Sequence, residues 1–200
     1  MKKTKNTLAR IVATAAGASA LLIAGTAQAA MQDRDLDGDS VVDAFYDTDL
    51  DITWLRNANV NGTMNWDTAV AWADSFSFGG YDDWRLPTSD QCTNYCIGSE
   101  MGHLWYIELG NADGLPSNTG NFQNLQLERY WSGTEAESYP DQAMAFSMGG
   151  GIQYTSLKHD AYYALAVRPG DVAAVPEPGT YALMLTGLAA LAMARRRRTG

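Results

Sequence analysis

Basic residues are nearly missing from the middle of this 200-residue chain. Between residues 31 and 175 there are six, Arg34, Arg56, Arg85, Arg129, Lys158 and Arg168, against 22 acidic residues, a formal charge of −16. A body so acidic repels phosphate backbones, which argues against nucleic acid as a partner and favours cations or neutral ligands. Cysteine is scarce too. Cys92 and Cys96 are the only pair, too few for a disulfide framework or a cysteine-rich zinc centre. The two histidines, His103 and His159, stand far apart with no ligand spacing, so zinc is not expected. No Gly-rich phosphate loop occurs and no Ser/His/Asp set stands out. The two longest apolar stretches, broken only by Gly, Ser or Thr, lie at the two ends.

Those ends hold eight of the 14 basic residues. Lys2, Lys3, Lys5 and Arg10 precede an apolar stretch from Ile11 to Ala24, and Ala27-Gln28-Ala29 supplies small residues for a signal peptidase. Residues 1–29 therefore read as a secretory signal peptide. At the other end, Val175-Pro176-Glu177-Pro178-Gly179 is followed by an apolar run from Tyr181 to Ala194 and then Arg195, Arg196, Arg197 and Arg198. As a helix that run reaches about 21 Å, well short of the ~30 Å hydrocarbon core. The prolines keep the segment before it extended, and the arginines hold its end on the cytoplasmic side.

Residues 175–200 resemble the PEP-CTERM sorting signal of Gram-negative bacteria, with Val175, Pro176, Glu177, Pro178 and the four arginines as its motif. The resemblance implies an exosortase as processing partner, a transient inner-membrane anchor through the C-terminal helix, and export alongside exopolysaccharide. Cell surface, outer envelope or extracellular matrix is the implied destination. An ordinary short C-terminal anchor is the alternative.

The body opens on residues 30–44, an acidic segment in which no hydrophobic stripe forms before Val41. Ile52 to Leu55 has the β-branched and aromatic content of a strand. Trp66, Ala69, Val70 and Ala73 fall on one helical face, with Asn65 as cap and Gly79-Gly80 as stop, which predicts a helix over 66–76. A second is predicted over 100–109, capped by Ser99 and placing Met101, Leu104, Trp105 and Glu108 on one side. Residues 110–128 read as an irregular loop. Residues 129–133 read as a buried strand, and Met144, Phe146 and Met148 lead through Gly149-Gly150-Gly151 into a hairpin partner at 152–157. Tyr163, Leu165 and Val167 alternate as a last strand. Two early helices and later strands predict an α+β domain with several short antiparallel strands.

Asp51-Ile52-Thr53-Trp54-Leu55 with Asn57 and Asn59, Trp66, Ala69 to Trp72, Asp83-Trp84-Arg85-Leu86-Pro87-Thr88, Tyr130-Trp131-Ser132 and Ala166-Val167-Arg168 resemble the Lcl C-terminal domain family, whose function is unknown. The likeness spans most of 45–171 and sets the domain at 45–174. Its Arg-Leu-Pro-Thr segment and Val-Arg strand are also similar to C-type-lectin-like and formylglycine-generating-enzyme-like folds. The latter enzymes use a cysteine pair near the end of their domain. No cysteine follows Cys96 here, which argues against that activity.

Asp33, Asp35, Asp37 and Asp39 alternate around Gly38, with Asp43 beyond, as carboxylates do where a loop converges oxygens on Ca²⁺. An EF-hand would need Glu at the twelfth position, which is Ala44, and the segment looks more like a thrombospondin type 3 calcium loop. A solvated acidic linker is the alternative. Export into an oxidising compartment predicts a Cys92–Cys96 disulfide closing a small ring. Arg85 and Arg168, charged among apolar neighbours, are expected to pair with carboxylates, and the six tryptophans are expected mostly in the core. Together these features predict a non-catalytic, exported binding module for a glycan or a surface protein. An exported polysaccharide-acting enzyme and a matrix protein without a defined ligand are the alternatives.

Overall fold

The computed structural model describes residues 31–112, residues 117–172 and the single residue Thr186. The signal peptide, the 175–200 sorting segment and its apolar helix lie outside the described residues. Among the described residues no helix is long and apolar enough to cross a membrane.

The architecture is α+β, built of two small antiparallel sheets and two short helices. The first sheet contains β1 (Gln32–Arg34), β2 (Ala44–Asp47), β3 (Ile52–Leu55) and, beside β3, the last strand β7 (Val167–Pro169). Between them in sequence come α1 (Trp66–Ser75) and α2 (Glu100–His103), then a second sheet of β4 (Arg129–Glu135), β5 (Gln142–Ser147) and β6 (Ile152–Leu157) in sequence order. Residues 162–169 stitch the two sheets together. Tyr163 exchanges backbone hydrogen bonds with Arg129 and Trp131 of β4, while Val167 does so with Arg85 and stands opposite Trp54 of β3.

The acidic segment is part of the sheet and not a linker ahead of it. Gln32, Asp33 and Arg34 pair with Tyr46, Phe45 and Ala44, Leu36 is buried, and Arg34 makes a two-pronged ion pair with Asp171. No local pattern marks β1, because its order comes from pairing with β2. Leu36 packs so closely beneath Gly79 that a Cβ there would lie 2.3 Å from its own, and the positive φ of +60° independently favours glycine.

Helix α1 forms as its sequence directs. The Asn65 side chain accepts from the Thr68 N–H at 2.9 Å, and Trp66, Ala69 and Ala73 are buried. Such a cap contributes about 1 kcal/mol. The second helix departs from the predicted regular helix over 100–109. After α2 the chain widens into a π-helical turn over Leu104–Glu108, with the Leu109 N–H donating to the Leu104 carbonyl at 2.9 Å. The last predicted strand is also shorter: Tyr163 makes an isolated bridge to Tyr130, the Ala166 carbonyl accepts the Leu55 N–H, and regular pairing begins at Val167.

In β5 the residues from Ala143 to Phe146 are all buried. Ala143 and Ala145 pack with Trp66, Trp131 and α1, whereas Phe146 enters the cluster containing Trp54, Trp105 and Leu165. Alternating faces of one strand thus serve two cores. Buried indole N–H groups find acceptors: Trp66 on Ser132, Trp84 on Tyr81, Trp105 on Met148 and Trp131 on Met64, each through a backbone carbonyl.

Candidate functional site

The β1–β2 connection is an aspartate loop whose carboxylates accept its own backbone amides. Asp35 accepts from the amides of Gly38 and Ser40, Asp37 from Asp39, and Asp39 from Val41. One oxygen each from Asp35, Asp37 and Asp39 lies within 4.8 Å of the others, a spacing that could hold a cation. Asp33 and Asp43 do not join that trio: Asp33 is drawn into β1 opposite Phe45, and Asp43 accepts the Leu36 N–H at 2.9 Å. Desolvation pushes the Asp35 carboxyl up, but the backbone amides outweigh it and hold the group below the usual range. Burial, abetted by the charges of Asp37, Asp39 and Asp35, raises Asp43.

Next to this loop lies a groove of about 280 Å³, whose walls include Val41, Val60, Phe76 and Phe78, with Arg56 and Asn57 among its polar groups. The rings of Phe76 and Phe78 are nearly parallel, 6.3 Å apart. Arg56 is positioned by donating to the carbonyls of Val42 and Asn121. Val41 and Val60 remain 49% and 37% exposed, so apolar surface faces solvent on both sides of a few fixed polar groups.

The motif arginines are structural. Arg85 forms two hydrogen bonds to Glu100 at 2.7 and 2.8 Å, and the same carboxylate accepts the Thr88 N–H. The Arg85-Leu86-Pro87-Thr88 segment is thereby fastened to the start of α2. Arg168 holds Asp83 by two bonds at 2.7 and 2.9 Å and lies over the Tyr81 ring; its guanidinium keeps the Asp83 carboxyl below the usual range. Cys92 and Cys96 are joined in a disulfide with Cα atoms 5.8 Å apart. Four tryptophans, 54, 84, 105 and 131, are at most 2% exposed, Trp66 is 8% exposed and Trp72 is half-buried.

One grouping of ionisable side chains carries no local mark in the sequence. The fold brings His103 to Asp47, Asp49 and Glu108, while His159 stays exposed beside Asp160. Its two halves, Asp47 with Asp49 and His103 with Glu108, are more than 50 positions apart in sequence.

Two family models match. The model described as Lcl C-terminal domain covers residues 43–168, and that described as PEP-CTERM protein-sorting motif covers 174–198. No curated protein matches the chain. The sorting motif marks a substrate of exosortase processing, exported in Gram-negative bacteria to the envelope or surface.

Proposed function

The chain belongs to the Lcl C-terminal domain family, and from that premise we propose that its domain is a non-catalytic binding module for a neutral glycan on an exosortase-sorted envelope or extracellular protein. The observation that carries this reading is the groove of Val41, Val60, Phe76 and Phe78 with Arg56 and Asn57 set in it. Apolar walls take the faces of sugar rings, and fixed polar groups take hydroxyls. The −16 charge of the body disfavours anionic polysaccharide. A lectin-like or formylglycine-generating-enzyme-like fold is consistent with the reading, since the Arg85 segment and the Val167 strand that carry the likeness lie side by side.

A neutral-glycan array followed by tryptophan-fluorescence titration tests it. The wild type is expected to bind, and Val41→Glu or Val60→Glu to weaken binding tenfold or more, about 1.4 kcal/mol, with unchanged melting temperature because both side chains are exposed. Equal binding by wild type and variants, or binding of anionic glycans or a surface protein alone, refutes it.

Calcium belongs to the same proposal, held by Asp35, Asp37 and Asp39 in the loop that leads into Val41 of the groove. A cation bound only by the ordered loop stabilises the folded protein by mass action, about 2.7 kcal/mol at a hundred times its dissociation constant. Calorimetry should show a melting temperature that rises with millimolar Ca²⁺ in the wild type and stays level in the Asp35→Ala, Asp37→Ala double variant. A like response to Mg²⁺, which keeps its water and prefers octahedral geometry, would instead indicate screening of exposed carboxylates.

A further inference from the structure

We propose that Asp47, His103 and Glu108, with Asp49 at the rim, form a site for a borderline divalent transition metal ion such as Zn²⁺. The site lies at the opposite end of β2 from the aspartate loop and does not depend on the groove's ligand. Asp47 ends β2 with its side chain fully buried, His103 ends α2 at 15% exposure, and Glu108 ends the π-helical turn at 2%. Their ligand atoms all lie within 4.8 Å of one another.

The distances distinguish a metal site from a hydrogen-bonded one. His103 Nε2 stands 3.4 Å from Glu108 Oε1, 3.9 Å from Asp49 Oδ2 and 4.0 Å from Asp47 Oδ2. A charge-assisted N–H···O bond needs about 2.7–2.9 Å. Both His103 Nε2 and Glu108 Oε1 are buried with no hydrogen-bond partner. Such groups are costly to leave unpaired. A tetrahedral Zn²⁺ with donors at about 2.0–2.1 Å sets neighbouring donor atoms about 3.4 Å apart. The His103–Glu108 gap already has that length, and the two aspartates need to close by about half an ångström to reach it.

Charge and orientation agree. Burial, reinforced by the Asp47 charge, raises the Glu108 carboxyl against the opposing pull of His103. A divalent cation relieves that repulsion between buried carboxylates. Asp47 Oδ1 accepts the amides of Asp49 and Leu50, each at 3.0 Å, and the Trp54 indole lies 3.4 Å from Oδ2. Hydrogen bonds of this kind, from amides and an indole to a carboxylate, aim it at a metal ion. The imidazole selects against Ca²⁺, which takes oxygen ligands, and for Zn²⁺ and its neighbours.

The π-helical turn makes the constellation possible. At 100° per residue an α-helix would set positions 103 and 108 about 140° apart around its axis. Widening the turn brings both onto the face that meets Asp47, and local π-helical geometry recurs at functional sites.

The test uses tag-free mature protein, stripped with chelator and titrated with Zn²⁺ by calorimetry and with Co²⁺ by visible absorption. One equivalent of Zn²⁺ is expected to bind, and Co²⁺ to give a ligand-field spectrum. His103→Gln and Glu108→Gln should each weaken Zn²⁺ binding about a hundredfold. The Asp35→Ala, Asp37→Ala variant should bind Zn²⁺ as the wild type does, which separates this site from the aspartate loop. Glu108→Gln without metal should melt no lower than the metal-free wild type, since it removes a buried charge, so weakened binding would not reflect unfolding. Absence of stoichiometric Zn²⁺ binding, or binding indifferent to His103→Gln and Glu108→Gln, overturns the proposal. Loss of binding in the aspartate-loop variant also overturns it.

Discussion

Trp131→Ala should lower the unfolding free energy of the mature protein by about 4 kcal/mol, read from urea denaturation followed by circular dichroism. Trp131 is fully buried in β4 and packs among Trp66, Ala69, Ala73, Leu86, Ala143 and Ala145. Alanines have no rotamers with which to reach into a void, so most of the indole's volume would remain as a cavity. The Tyr162 ring, 4.6 Å from the indole, would lose its tilted partner. The indole N–H also satisfies the Met64 carbonyl at 2.9 Å. Trp131→Phe separates the two effects: it keeps most of the apolar volume, leaves that carbonyl with the Tyr162 N–H as its remaining donor, and should cost about 1 kcal/mol. A loss below about 1 kcal/mol for Trp131→Ala would mean that the core collapses into the space, contrary to this account.

Gly102→Ala is expected to cost about 3 kcal/mol, although alanine is the better helix former. An added Cβ would stand 1.8 Å from the Cys96 carbonyl oxygen and 2.8 Å from Ser99 Oγ. Neither neighbour can yield easily. Cys96 is buried and tied to Cys92, and its carbonyl accepts from both the hydroxyl and the amide of Ser99. That hydroxyl in turn accepts the Gly102 N–H at the start of α2. Gly98→Ala is the control. Its nearest neighbour is the end of the Asp90 side chain at 3.0 Å, which can rotate, so the loss should stay below about 1 kcal/mol. Similar losses at the two positions would place the cost in helix propensity or chain entropy and not in the contact with Cys96.

Several features were settled by the sequence because they depend on neighbours in the chain. Asn65 and Ser99 cap their helices through hydrogen bonds three residues on, and the glycines at 149–151 turn β5 back onto β6. The placement of β5 between two cores is foreshadowed by the alternation of Ala143 and Ala145 with Met144 and Phe146. That Arg85 and Arg168 would pair with carboxylates followed from their charge among apolar residues. Which carboxylates they take, Glu100 and Asp83, was fixed only when positions 15 and 85 apart in the sequence had been brought together.

Tertiary structure alone decided three matters. Strand β1 has no apolar periodicity, and its order comes from backbone bonds to β2, Leu36 beneath Gly79 and the Arg34–Asp171 pair. Two of the five aspartates counted toward calcium leave the trio, because strand pairing claims Asp33 and the Leu36 amide holds Asp43. The gathering of Asp47, His103 and Glu108 was hidden because periodicity assumes 3.6 residues per turn, while the chain over Leu104–Glu108 takes a wider one. Local pattern reports which residues seek burial and where the chain turns. It carries no record of the register in which distant segments meet, and that register creates the pairings and sites between them.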